Sequence, residues 1–168
     1  ISSNEGKKLG ITHFSNNPED LKGYILTSRY FLDEAKTKVQ IININEKKVV
    51  NERNIDIDKI NSLSNIDRNF VNLERDRNSK RYPYMHPLIL DNGDLIFKYD
   101  SPLVKVDKCG DLIWQIDEFF HHSIEIEKEN NEQKYIWVPT KKVFWRSYDP
   151  KTDDYMDGFQ DDEITKVR

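Results

Sequence analysis

The sequence predicts an all-β protein made of short antiparallel strands joined as meanders. Three observations carry this. Apolar and β-branched runs of strand length recur along the chain, as in Gly23-Tyr24-Ile25-Leu26-Thr27-Ser28, Val39–Ile44 and Leu103–Asp107. Strong hairpin signals separate them, notably Asp91-Asn92-Gly93-Asp94 and Lys108-Cys109-Gly110-Asp111, where glycine takes the positive φ that a tight turn requires. A unit also recurs: His86 and His122 stand 36 positions apart, and each opens a strand that leads into a hairpin. Units of this length built from four short strands are the pattern of β-propeller blades. The 168 residues hold about two to three such blades. The expected architecture is therefore a partial propeller of antiparallel meander blades with a partly helical insertion, treated as one domain over residues 1–168.

Residues 1–20 are polar and read as a loose N-terminal arm with at most a short strand at Gly10–Phe14. Strands follow at 23–28, 39–44 and 49–52, the last two joined by turn residues at 45–48. Residues 54–80 break the strand pattern. Ile55, Ile57, Ile60 and Leu63 mix strand and helix spacing, and Asp56 or Asp58 suits a helix cap. This stretch reads as a surface insertion between blades. Strand grammar returns at Leu88–Leu90, Leu95–Tyr99, Leu103–Asp107 and Leu112–Ile116. Ser123–Glu127 and Tyr135–Val138 then flank a polar turn, and Val143–Tyr148 and Ile164–Val167 flank an acidic loop.

Composition narrows the function classes. The net charge of −4 lacks the basic footprint of a nucleic-acid binder. No apolar run is long enough for a membrane-spanning helix. The single cysteine, Cys109, rules out an intrachain disulfide. The chain opens on Ile1 and its last strand stops at Arg168, so both ends read as cut from a longer protein.

The candidate chemistry lies with the histidines. In a propeller the first strand of each blade lines the central channel, so His86 and His122 would face one funnel. Side chains alternate across a strand, so His121 and His122 cannot both do so, and His122 leads the alternating Ser123-Ile124-Glu125. Imidazole serves as nucleophile, acid–base group or metal ligand. A zinc site needs a third ligand, such as Glu125 or His13; Glu125 falls on the opposite strand face and fits poorly, and no metal is expected. Arg146, with Lys141 and Lys142 before it, offers a guanidinium suited to an oxyanion. The acidic loop from Asp149 lacks calcium-loop spacing, and Cys109 reads as a turn residue.

The pattern of Gly23-Tyr24-Ile25-Leu26, Val39–Asn45, Lys48-Val49-Val50, His86-Pro87, Asp91–Ile96, Leu103–Trp114, His121-His122-Ser123-Ile124 and Ile136-Trp137-Val138 resembles the arylsulfotransferase family that needs no nucleotide sulfate donor. The resemblance implies a six-bladed propeller of which this is the N-terminal part. It implies sulfuryl transfer from an aryl sulfate to a phenol through a transiently sulfated histidine, without cofactor, in the periplasm or outside the cell. On that basis His122 and His86 hold the sulfate at the reacting centre, and His121 and Arg146 are substrate-binding candidates. The family's nucleophilic histidine is expected in a later blade, so this portion alone is expected to be inactive. The family's arginine follows the post-histidine strand as Ser-Arg, where this sequence has Pro139-Thr140-Lys141. The alternative is a non-enzymatic propeller that binds a ligand or protein.

Overall fold

The computed structural model describes residues 22–66, 72–130, 132–143, 148–149, 154–155 and 160–168. The N-terminal arm with His13, Arg146 and most of the acidic loop lie outside these residues. The described chain is mostly strand and forms three antiparallel sheets of three or four strands and one two-stranded pair. The first contains β1 (Tyr24–Phe31), β2 (Lys36–Asn43) and β3 (Lys48–Arg53) in that order. Helices α1 (Ile57–Ser62) and α2 (Leu73–Asp76) follow. The second sheet is the meander β4 (Met85–Ile89), β5 (Leu95–Lys98), β6 (Leu103–Val106) and β7 (Leu112–Ile116). Next come β8 (Glu125–Glu129), β9 (Glu132–Val143), the short pair β10 (Tyr148–Asp149) and β11 (Asp154–Tyr155), and β12 (Gln160–Val167). The third sheet has the order β12-β9-β8.

The turns obey local chemistry. In the β4–β5 connection the Gly93 amide donates to the Leu90 carbonyl and the Leu90 amide to the Asp94 carbonyl. The β6–β7 connection repeats this pattern with Gly110 and Asp107, and with Asp107 and Asp111. Gly93 and Gly110 have φ of 88° and 97°, so each occupies the left-handed position that closes a three-residue hairpin loop. The Asp107 carboxylate also accepts from the amides of Cys109 and Asp111. Hydrogen bonds from the Asp111 and Cys109 amides hold its carboxyl below the ordinary value. The β8–β9 hairpin is tighter than the polar run 128–134 suggests, because both strands extend into that run and leave only residues 130–131 between them.

The second sheet is the middle layer. All four residues of β5 are buried, against the alternation of a sheet with one wet face. Leu95 and Phe97 join Val104 and Val106 in a core shared with Val39 of the first sheet. Ile96 and Leu103 point the other way, into a core shared with Phe120, Ile136 and Val138 of the third-sheet segment. A strand covered on both faces needs a continuous apolar run, and Leu95-Ile96-Phe97 supplies it.

The stretch 54–80 is helical in part, with Asp56 capping α1 by accepting from the Lys59 amide at 3.0 Å. The surface reading is corrected for its apolar residues. Ile55, Ile57 and Ile60 enter the core between the first and second sheets, and Leu73 of α2 is also buried. Asn61 Nδ2 donates to the Arg77 carbonyl at 2.8 Å and ties α1 to the chain after α2. The stretch thus closes the core with the apolar side chains whose mixed spacing hid their common face.

One charged residue in the middle sheet links this packing to pH. Asp94 accepts from Asn92 Nδ2 at 2.8 Å and pairs with Lys105 at 3.0 Å. Burial pushes its carboxyl up, but the hydrogen bonds from Asn92 and Lys105 outweigh that and leave it below the ordinary value. A depressed carboxyl contributes stability above its unfolded value and loses it as the pH falls through the folded one. Asp94→Asn is therefore expected to flatten the decline of the urea midpoint below about pH 4. An unchanged decline would remove Asp94 from the acid response.

Candidate functional site

The histidines sit where first strands leave and rejoin their sheets. Met85 of β4 pairs with Lys98, the register then shifts, and pairing resumes at Leu88 with Ile96. His86 occupies the gap with φ of 47° and is exposed. In the third sheet Phe120 bridges to Thr140, and pairing resumes at Glu125 with Trp137. His122 occupies that gap with φ of 56° and is also exposed. Backbone bonds from the His121 amide to the Pro139 carbonyl at 3.0 Å, and from the Lys141 amide to the Phe119 carbonyl at 2.8 Å, fix the strand up to the departure.

His86 and His122, 36 residues apart, share a positive φ but not a ladder position: His86 lies in a register shift within β4 and His122 lies before β8. His86 directly follows a ladder pair and His122 comes two residues after an isolated bridge. Both take a left-handed backbone that costs a non-glycine residue about 1–3 kcal/mol, as do Ala35, Lys47, Asp100 and Asn130.

His121 and His122 are in edge-on ring contact, with centroids 4.5 Å apart and planes at 64°. His121 is buried and His122 exposed. Among the described residues no ring contact or hydrogen bond joins the His86 side chain to either. The structure therefore brings His121 and His122 together and places His86 in the register shift of β4, in the second sheet. Lys141 is half-buried on β9, and Arg146 lies outside the described residues. Among the described residues no three His, Cys, Asp or Glu side chains converge on a point that suits a metal ion. No described helix is long and apolar enough to cross a membrane.

Two buried polar residues pair with the residues just before these departures. Thr140, opposite Phe120, is 4% exposed, and its hydroxyl lies 2.9 Å from that of Thr165. Lys98, opposite Met85, is 1% exposed. Strand alternation puts Lys98 on the face of Ile96, toward the third sheet. Burial pulls its amine below the ordinary value, and Asp100 only partly opposes this. The Asp100 carboxylate is engaged by Arg77 at 2.7 Å, and the Arg77 guanidinium stacks 3.9 Å from the Tyr99 ring centroid. The Asp100 carbonyl accepts from the Phe120 amide, so the turn after Lys98 is tied to the histidine segment.

Sequence reasoning missed Lys98. A lysine that ends an apolar strand reads as a charge emerging into water, and only the covering third sheet turns it into a buried cation. The signal within the sequence was the length of the fully apolar run before it.

The chain matches no protein-family model, no curated protein and no solved structure. The site must accordingly be read from its own chemistry.

Proposed function

We propose that the three sheets are blades of a β-propeller and that the histidine-bearing strand starts hold the sulfuryl group of an aryl sulfate during its transfer to a phenol. The observation that carries this reading is the repeated departure at His86 and His122, with His121 in ring contact with His122. Its other support is the sequence resemblance to arylsulfotransferases. An aryl sulfate carries its negative charge on oxygens that keep it through the reaction. Imidazolium or imidazole N–H donors fixed before the substrate arrives stabilise that charge without reorganisation. In the reaction, an imidazole nitrogen lone pair forms the N–S bond while the S–O(aryl) bond breaks and its electron pair leaves on the phenolate. The acceptor phenol oxygen then attacks sulfur, gives up its proton, and releases the imidazole. His122 and His86 are the sulfuryl-holding groups in this scheme, and the attacking imidazole belongs to a later blade, as the resemblance implies.

The test uses the full-length protein, with 4-nitrophenyl sulfate as donor and a phenol as acceptor. Acceptor-dependent nitrophenol release is expected, reduced about tenfold or more in His122→Ala. Folded protein that releases no nitrophenol with any phenol would overturn the enzymatic reading and leave a binding propeller. Release untouched by the substitution would return His122 to a structural role.

A further inference from the structure

Lys98 stands out among the buried polar residues. It is 1% exposed, and among the described residues no hydrogen bond or ion pair reaches its ammonium. Buried lysines are rarely tolerated without a partner. The nearest opposing charge, Asp100, is committed to Arg77 at 2.7 Å. The same turn contains a second group with an unmet need: Ser101 is fully buried, and its Oγ has no hydrogen-bond partner. Native structures leave few such groups, and each calls for an explanation. The last residue of β5 and the turn after it thus hold a buried lysine and, three residues on, a buried hydroxyl without an acceptor.

The position lies near the edge of the sheet. Lys98 is one strand in from β4, which is the edge of its sheet. Its ladder partner Met85 is 39% exposed and is followed by the exposed His86. On the other side, the turn's Asp100 carbonyl receives the Phe120 amide directly before His121 and His122. A lysine stem buried among apolar side chains with its charged end sought by the nearest polar opening is the usual compromise for this residue.

We propose that Lys98, with the Ser101 hydroxyl, forms an oxyanion-binding site at the β5–β6 turn that takes the sulfate or phosphate group of a monoester. A tetrahedral oxyanion supplies the counter-charge and the acceptors that both groups lack. Burial lowers the amine's proton affinity while the site lacks a counter-charge, and a bound anion restores it. The proposal adds to the sulfuryl-transfer reading a cation on the strand whose following turn is bonded to the histidine segment through the Asp100 carbonyl and the Phe120 amide. It rests on that reading only for the identity of the oxyanion.

The test is calorimetric titration of the full-length protein with inorganic sulfate and with inorganic phosphate in a buffer free of other oxyanions. Wild type, Lys98→Met and Lys98→Arg are compared. Saturable binding by wild type is expected, weakened tenfold or more in Lys98→Met and largely kept in Lys98→Arg. Thermal melting gives the second readout. Without oxyanion, Lys98→Met is expected to melt at or above the wild-type temperature, because it removes an unpaired buried charge. Added sulfate or phosphate should raise the wild-type midpoint and leave that of Lys98→Met in place. Should Lys98→Met not fold, Lys98→Gln takes its place in both measurements. Equal binding by Lys98→Met and wild type would overturn the proposal, as would the absence of binding to wild type. Stronger binding of phosphate than sulfate would support the site and name phosphate as its ligand. Lys98-dependent binding without nitrophenol release would keep the site and sink the transfer reaction; release with Lys98-independent binding would do the reverse.

Discussion

Phe97→Ala is expected to lower the unfolding free energy by about 3–5 kcal/mol, the usual cost of truncating a fully buried phenylalanine. The ring is completely buried in the core between the first and second sheets. It meets Tyr84 edge-on at 5.0 Å and Tyr82 edge-on at 5.8 Å. Such aromatic pairs add about 0.5–1.5 kcal/mol beyond the area they bury. Tyr82 and Tyr84 already pack against each other edge-on at 5.0 Å, which limits how far either ring moves into the space left. Ile96→Ala tests the opposite face of the same strand and is expected to cost about 2–5 kcal/mol. The pair of measurements, by urea denaturation with the slope checked for constancy, reads the layering directly. A large loss at Phe97 with almost none at Ile96 would mean that the third sheet does not cover the second.

Gly110→Ala is expected to be nearly as severe, at about 2–4 kcal/mol, from strain and overpacking together. Gly110 has φ of 97°, and a Cβ there would lie 2.6 Å from the Asn54 carbonyl oxygen. That atom is backbone, so relief requires moving the segment between β3 and α1. Gly93 is the natural control. Its φ of 88° carries the same strain, but the nearest atom to its added Cβ is a Lys108 side-chain carbon at 3.6 Å. Gly93→Ala is therefore expected to cost only about 1 kcal/mol. Equal losses at the two glycines, measured by thermal melting, would show that the close approach to Asn54 does not set the position of the β6–β7 turn.

The histidine region shows how far local information reaches. The interval between His86 and His122 was legible in the sequence, and the structure gives both residues a left-handed backbone near an interruption of strand pairing, within β4 for His86 and before β8 for His122. The facing of the neighbouring residue was not legible in the same way. Alternation from His122 treats the strand as regular through Ser123 and Ile124, whereas pairing lapses between Phe120 and Glu125. Once the ladder breaks, period-two reasoning loses its phase. That lapse leaves His121 buried and His122 exposed, with their rings in contact.

The sequence by itself determined the strands, the glycine-closed hairpins and the repeated histidine. Each depends on backbone preferences and hydrogen bonds spanning a few residues. Only the tertiary structure decided that the second sheet is covered on both faces, that Ile57 and Ile60 plug a core instead of decorating a surface, and that Lys98 is a buried cation. The physical reason is common to all three. Burial belongs to the partner surface as much as to the residue, and the partner lies in another sheet, at a sequence distance where no local pattern can report it.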